Sequence, residues 1–184
     1  MHTPAESIVA YLRAKDCNRP HLLAQAFAAN ASLRMEVLRG GITFPPLSSG
    51  REAIADTLVR RFGQAYENVY TFCLSRPPAP AVTSFSCGWL VAMTEKQGHA
   101  VRVGCGRYDW EFDPTSGLAG QLSIRIDAMQ SLPPAALPAI MRWVTGLPYP
   151  WCTAGQVFAG APALDGVSAV LACLAAESAF AQAV

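Results

Sequence analysis

Residues 101–127, VRVGCGRYDWEFDPTSGLAGQLSIRID, constrain the fold more than any other stretch, because they read as two antiparallel strands joined by a turn. The linking DPTSG is dense in turn formers: proline fixes its own φ, and glycine tolerates positive φ. Side chains alternate across a strand. If Tyr108, Trp110 and Phe112 face a core, then Arg107, Asp109 and Glu111 face outward. On the second strand Leu122, Ile124 and Ile126 then share the inner face, and Arg125 and Asp127 the outer one. A bulge at Gly104 or Gly106 would reverse this alternation locally. A hairpin of this length is a wall, and it is expected to line a pocket.

Upstream, residues 4–15 suit a short helix, with Thr3 as N-cap, Pro4 at the first helical position, and Ile8, Val9, Tyr11 and Leu12 as its apolar stripe. A second helix is expected from Pro20. Residues 31–38 then switch to period two and read as a strand carrying Met35 on its apolar face. FPPLSSG is expected to be a loop whose serines cap the following helix. GREAIADTLVRRFGQAY has the strongest helical periodicity in the chain. A strand at 68–74 and a proline-rich surface connection at 76–81 lead into strands at 83–95 and 99–113, and the opening hairpin completes a meander.

The character changes after Met129. SLPPAALP breaks the pattern, and between residues 128 and 184 only Arg142, Asp165 and Glu177 are charged. A short helix is expected at 137–145, irregular chain at 147–163, and an apolar helix at 164–183 with Val167, Val170, Leu171 and Leu174 on one face. Its apolar run is too short and too interrupted for a membrane span, so it is expected to pack on this domain or on a second subunit. With no basic cluster beyond Arg60-Arg61, nothing points to nucleic acid. The six cysteines form no CxxC pair, and the start MHTPAES lacks a secretory pattern. The expectation is a reduced, cytoplasmic protein with buried thiols. The three histidines are scattered, so no metal site and no cofactor are expected.

FAANASLRM followed by SGREAIADTLVRRF, together with the strand GCGRYDWEFDPTSG, resembles the nuclear transport factor 2-like superfamily, especially its SnoaL-like polyketide cyclase and ketosteroid isomerase branch. The resemblance covers roughly residues 4–129 and implies a domain at 1–130, with 131–184 outside it as an apolar, mostly helical extension. It implies an α+β fold in which a curved, mixed or antiparallel sheet wraps as a cone around three helices and encloses an apolar pocket. It also implies a homodimer through the outer sheet face. The superfamily hosts isomerases, dehydratases, epoxide hydrolases, cyclases and non-catalytic binding proteins, so the fold does not decide the function.

Laid on the ketosteroid isomerase pattern, Tyr11 falls on the family's tyrosine, Tyr108 on its second acid, and Met35 on its catalytic base. A methionine cannot take a proton, which argues against that isomerisation. Glu36 points to the opposite strand face. The charged set Arg107, Asp109, Arg125 and Asp127 invites a carboxylate mechanism, but the alternation places it outside, as a cross-strand charge ladder. The expected pocket lining is Tyr11, Met35, Trp89, Arg102, Tyr108 and Trp110, with Met93 and Phe85 nearby. Arg102 or Tyr108 would orient a small, flat, apolar ligand bearing one oxygen. The function expected is binding of a small hydrophobic molecule without assignable catalytic machinery. The alternatives are a cyclase, isomerase or dehydratase, or an assembly protein using the C-terminal helix.

Overall fold

The computed structural model describes residues 2–78 and 82–181. Its first helix, α1 (Pro4–Asp16), starts where the sequence predicts. The Glu6 N–H donates to Thr3 Oγ1 at 3.3 Å, and the Thr3 N–H donates to Glu6 Oε2 at 2.8 Å, a reciprocal capping box. Thr3→Ala is expected to lower stability by about 1 kcal/mol, read as a urea-midpoint shift.

The predicted second helix is instead a 3₁₀ turn, Pro20–Gln25. The reason lies in its neighbour: strand β1 (Phe27–Val37) begins four residues before the expected start, leaving no room for α-helical turns. β1 runs parallel to the last strand, β6 (Ala119–Leu132), with Met35 opposite Ile124. FPPLSSG is not all loop. Leu47–Ser49 forms a short edge strand, β2, antiparallel to β1. Pro46 just before it lacks an N–H, but its carbonyl accepts from the Met35 N–H at 3.0 Å. The serines do not cap the next helix. Gly50 occupies the N-cap at φ 86°, and Ser48 Oγ bonds Thr57 Oγ1 at 3.1 Å inside the protein.

That next helix is α2 (Arg51–Ala55) continued through one π-helical turn, Asp56–Arg60, into α3 (Arg61–Ala65). β3 (Tyr66–Cys73), β4 (Ser84–Glu95) and β5 (Val101–Phe112) complete the meander. The sheet order is β2-β1-β6-β5-β4-β3, antiparallel except at β1–β6. Residues 79–81 of the expected proline-rich connection lie outside the described residues.

The aromatic alternation is as the sequence implies. Tyr108, Trp110, Phe112, Leu122, Ile124 and Ile126 share one core with α1, α2 and α3, whereas Arg107, Asp109 and Glu111 are partly or fully exposed. A bulge does occur, but on β6. Cys105 pairs with Ala128 and Gly106 with Ile126, leaving Asp127 as the extra residue. Beyond it the faces of β6 exchange: Ile126 lies in the first core and Ala128 in a second one on the opposite face. Gly106 permits this close approach. A Cβ there would fall on the Arg125 carbonyl oxygen and 2.7 Å from the Trp89 ring, so the glycine accommodates the neighbouring strand rather than a helix.

The second core joins Val101, Val103, Leu90 and Phe72 to the C-terminal segment. α4 (Leu137–Thr145) is where the sequence predicts. α5 (Ala154–Gly160) lies within the stretch expected to be irregular, started by a capping box between Thr153 and Gln156. α6 (Asp165–Ala181) buries Val167, Val170 and Leu174 against the sheet; the last two residues of the expected helix lie outside the described ones. No described helix is long and apolar enough to cross a membrane. The cysteines are free thiols; Cys73, Cys87, Cys105 and Cys152 are buried as expected, but Cys17 is exposed.

Candidate functional site

Between the inner sheet face and the helices lies a cavity of about 40 Å³. Its wall is mostly aliphatic, aromatic and thioether: Met35, Met93 and Met129 with Val91, Ile124, Ile126, Leu58, Phe62 and Trp89. Strand alternation explains the sheet contribution, since Trp89, Val91 and Met93 share a face. A neighbouring depression of about 240 Å³, bounded by residues 41–45 and by Arg61 and Tyr66, shares Ile42, Phe44 and Phe62 with the cavity.

Five polar groups interrupt the apolar wall: Tyr11, Tyr108, Thr71, Lys15 and the Trp89 indole N–H. Burial pushes the Tyr11 hydroxyl well above a phenol's ordinary value, and a hydrogen bond from the Tyr108 side pulls it partly back. Tyr108 is pushed up as well, first by burial and then by its tyrosine neighbour. Both therefore stay protonated near neutral pH and serve as donors. Their rings meet edge to face at 6.0 Å between centroids.

Lys15 is the one charged side chain on the wall among the described residues. Its Nζ donates to Asp16 Oδ1 at 2.7 Å and to Thr71 Oγ1 at 2.7 Å, and it sits 4.7 Å from the centroid of the Phe62 ring. The ion pair is deeply buried, with side chains 6% and 3% exposed. Asp16 Oδ1 also accepts from Thr71 Oγ1 at 2.8 Å, and its Oδ2 accepts from the Thr71 N–H at 2.8 Å and the Tyr149 hydroxyl at 3.1 Å. The carboxylate thus takes four hydrogen bonds, its full capacity. Tyr149 belongs to the C-terminal segment, which in this way reaches the back of the site.

Of the residues expected to line the pocket, Tyr11, Met35, Trp89 and Tyr108 border the cavity. Trp110 lies behind it, packed against Tyr11 at 5.4 Å and Phe27 at 5.9 Å between ring centroids. Arg102 faces inward, opposite Met93, but at the end of the strand. There it pairs with Glu95 at 2.6 Å and lies off the cavity wall. Lys15, Asp16 and Thr71 were not anticipated. Lys15 was legible, because it continues the Ile8, Tyr11, Leu12 stripe at helical spacing, and a lysine on an apolar stripe needs a buried partner. Thr71 had no such signal, since it is 55 residues from Asp16 in sequence.

No protein-family model and no curated protein sequence matches the chain. Solved structures do. A type 2 hexachlorocyclohexane dehydrochlorinase (LinA) is 15% identical, with a TM-score of 0.55 over 69% of this chain and 84% of its own. A nuclear transport factor 2-like superfamily protein from Salmonella enterica serovar Typhimurium is 17% identical, with a TM-score of 0.53 over 67% and 88%. A protein with a ketosteroid isomerase-like fold from Catenulispora acidiphila, solved in complex with trimethylamine, is 17% identical, with a TM-score of 0.52 over 66% and 85%.

Proposed function

Since this chain has the nuclear transport factor 2-like fold, we propose that it binds a small, largely apolar molecule of a few non-hydrogen atoms in the cavity of the cone. The observation that carries this reading is the cavity itself: an interior space walled by apolar side chains, of which Ile42, Phe44 and Phe62 also border the neighbouring depression. Three methionines on the wall can shift to fit an occupant. Among the described residues the wall holds neither a carboxylate nor an imidazole, and Asp16 behind it has all its acceptor positions taken. Binding is therefore supported better than proton transfer. The assembly alternative is less supported, because Val167, Val170 and Leu174 of α6 are buried against their own sheet. The trimethylamine in the Catenulispora neighbour is a ligand of comparable size.

The reading is tested with isobutene, an apolar probe of four non-hydrogen atoms, followed through the methyl resonances of Ile124, Ile126 and Met129. These are expected to shift saturably, and Val91→Phe, which places a ring into about 40 Å³, is expected to abolish the response. Unmoved methyl resonances in the wild-type chain would refute the reading.

We further propose that a second copy, where the chain pairs, uses the outer half-face carrying Arg107, Asp109 and Arg125, because the C-terminal segment covers the apolar half. Arg107→Glu would then lower the mass measured by sedimentation.

A further inference from the structure

Donors and acceptors on the cavity wall do not balance. Lys15 has three N–H donors, two of which go to Asp16 and Thr71. The third has no oxygen acceptor among the described residues; the face of Phe62 at 4.7 Å is a weaker substitute. Trp89, on the same wall and 3% exposed, has a buried Nε1–H with no partner among the described residues. The Tyr11 and Tyr108 hydroxyls add two further protons on the same wall. Thr71 directs its own hydroxyl proton at Asp16. The wall therefore presents surplus donors.

The charge count restricts the occupant further. Lys15 and Asp16 cancel, so the buried site is neutral before anything enters. An anionic ligand would leave one uncompensated negative charge in an apolar enclosure, and a cation would meet the Lys15 ammonium; both are costly. A neutral molecule with an acceptor oxygen satisfies a donor and brings no charge.

We propose that the cavity selects a small neutral carbonyl compound, a ketone or ester of a few non-hydrogen atoms, whose oxygen accepts from Lys15 Nζ. This rests on the reading that the cavity binds small molecules at all. Lys15 acts here as a donor held by its ion pair, and no covalent step is involved.

The test uses the full chain and four probes of four non-hydrogen atoms each: acetone, isobutene, acetate and trimethylammonium. Dissociation constants come from the same methyl resonances. Acetone is expected to bind about tenfold tighter than isobutene, the increment of a hydrogen bond to a charged donor, and acetate and trimethylammonium more weakly than either. Lys15→Met is expected to remove the acetone advantage, read as the ratio of the acetone and isobutene dissociation constants of the same variant. Because that variant strands a buried carboxylate and loses stability, a second measurement uses only wild-type protein: the carbonyl stretch of bound acetone is expected at lower frequency than in hydrocarbon solvent. Equal binding of acetone and isobutene, tighter binding of acetate, or an unshifted stretch overturns the proposal and leaves the cavity reading standing. Failure of all four probes overturns both.

Discussion

Lys15→Met is expected to lower the stability of the chain by about 3–5 kcal/mol, the loss seen when one partner of a buried ion pair is removed. The side chains of Lys15 and Asp16 are 6% and 3% exposed, so solvent screens little of the charge that remains. Asp16 would keep its bonds from Thr71 and Tyr149 but lose its countercharge at 2.7 Å. Asp16→Leu alone should cost a similar amount, because it strands the ammonium instead. The double variant Lys15→Met with Asp16→Leu is expected to recover most of the loss, since it removes both charges and keeps the volume. Urea unfolding of the four proteins completes the cycle. Single variants costing under about 1 kcal/mol would show that the pair behaves as an exposed one.

Trp110→Ala is expected to cost about 3–5 kcal/mol, the range for emptying a fully buried aromatic site. Trp110 is 1% exposed and stands among Tyr11, Phe27, Tyr108 and Phe112, with ring centroids 5.4 to 5.9 Å away. Stacking and edge-to-face geometry add to what burial alone contributes. Trp110→Phe separates volume from polarity. The indole Nε1–H has no partner among the described residues, so the phenyl variant loses no hydrogen bond there and should cost roughly 1–2 kcal/mol for the smaller ring. A phenyl variant as unstable as the alanine variant would mean that Nε1 is bonded after all. Thermal midpoints should follow, by about 2–4 °C per kcal/mol in a chain of this size.

The aromatic and aliphatic wall of the hairpin was legible because it depends on one local property, the two-residue period of a strand. Tyr108, Trp110 and Phe112 take the inner face whatever lies above them, and the Thr3 cap likewise needs only its neighbour Glu6. The Thr153–Gln156 box was equally local and marks α5 inside a stretch expected to be irregular. Leu47–Ser49 was not legible. Its strand character comes from pairing with β1, which overrides two preceding prolines.

Sequence by itself determined the first helix, the β3–β6 meander, the side of the hairpin that is apolar, and the placement of a tyrosine on the first helix beside an apolar sheet. These follow from periodicities that any few consecutive residues carry. Only the tertiary structure decided that Asp127 is a bulge, that α6 covers the outer face rather than filling the cone, and that Arg102 pairs with Glu95 off the cavity wall. It alone joined Lys15 and Asp16 to Thr71, 55 residues from Asp16 in sequence, and to Tyr149, 133 residues from it. A buried charge depends on partners that only the folded chain brings within hydrogen-bonding distance, and no local pattern records them.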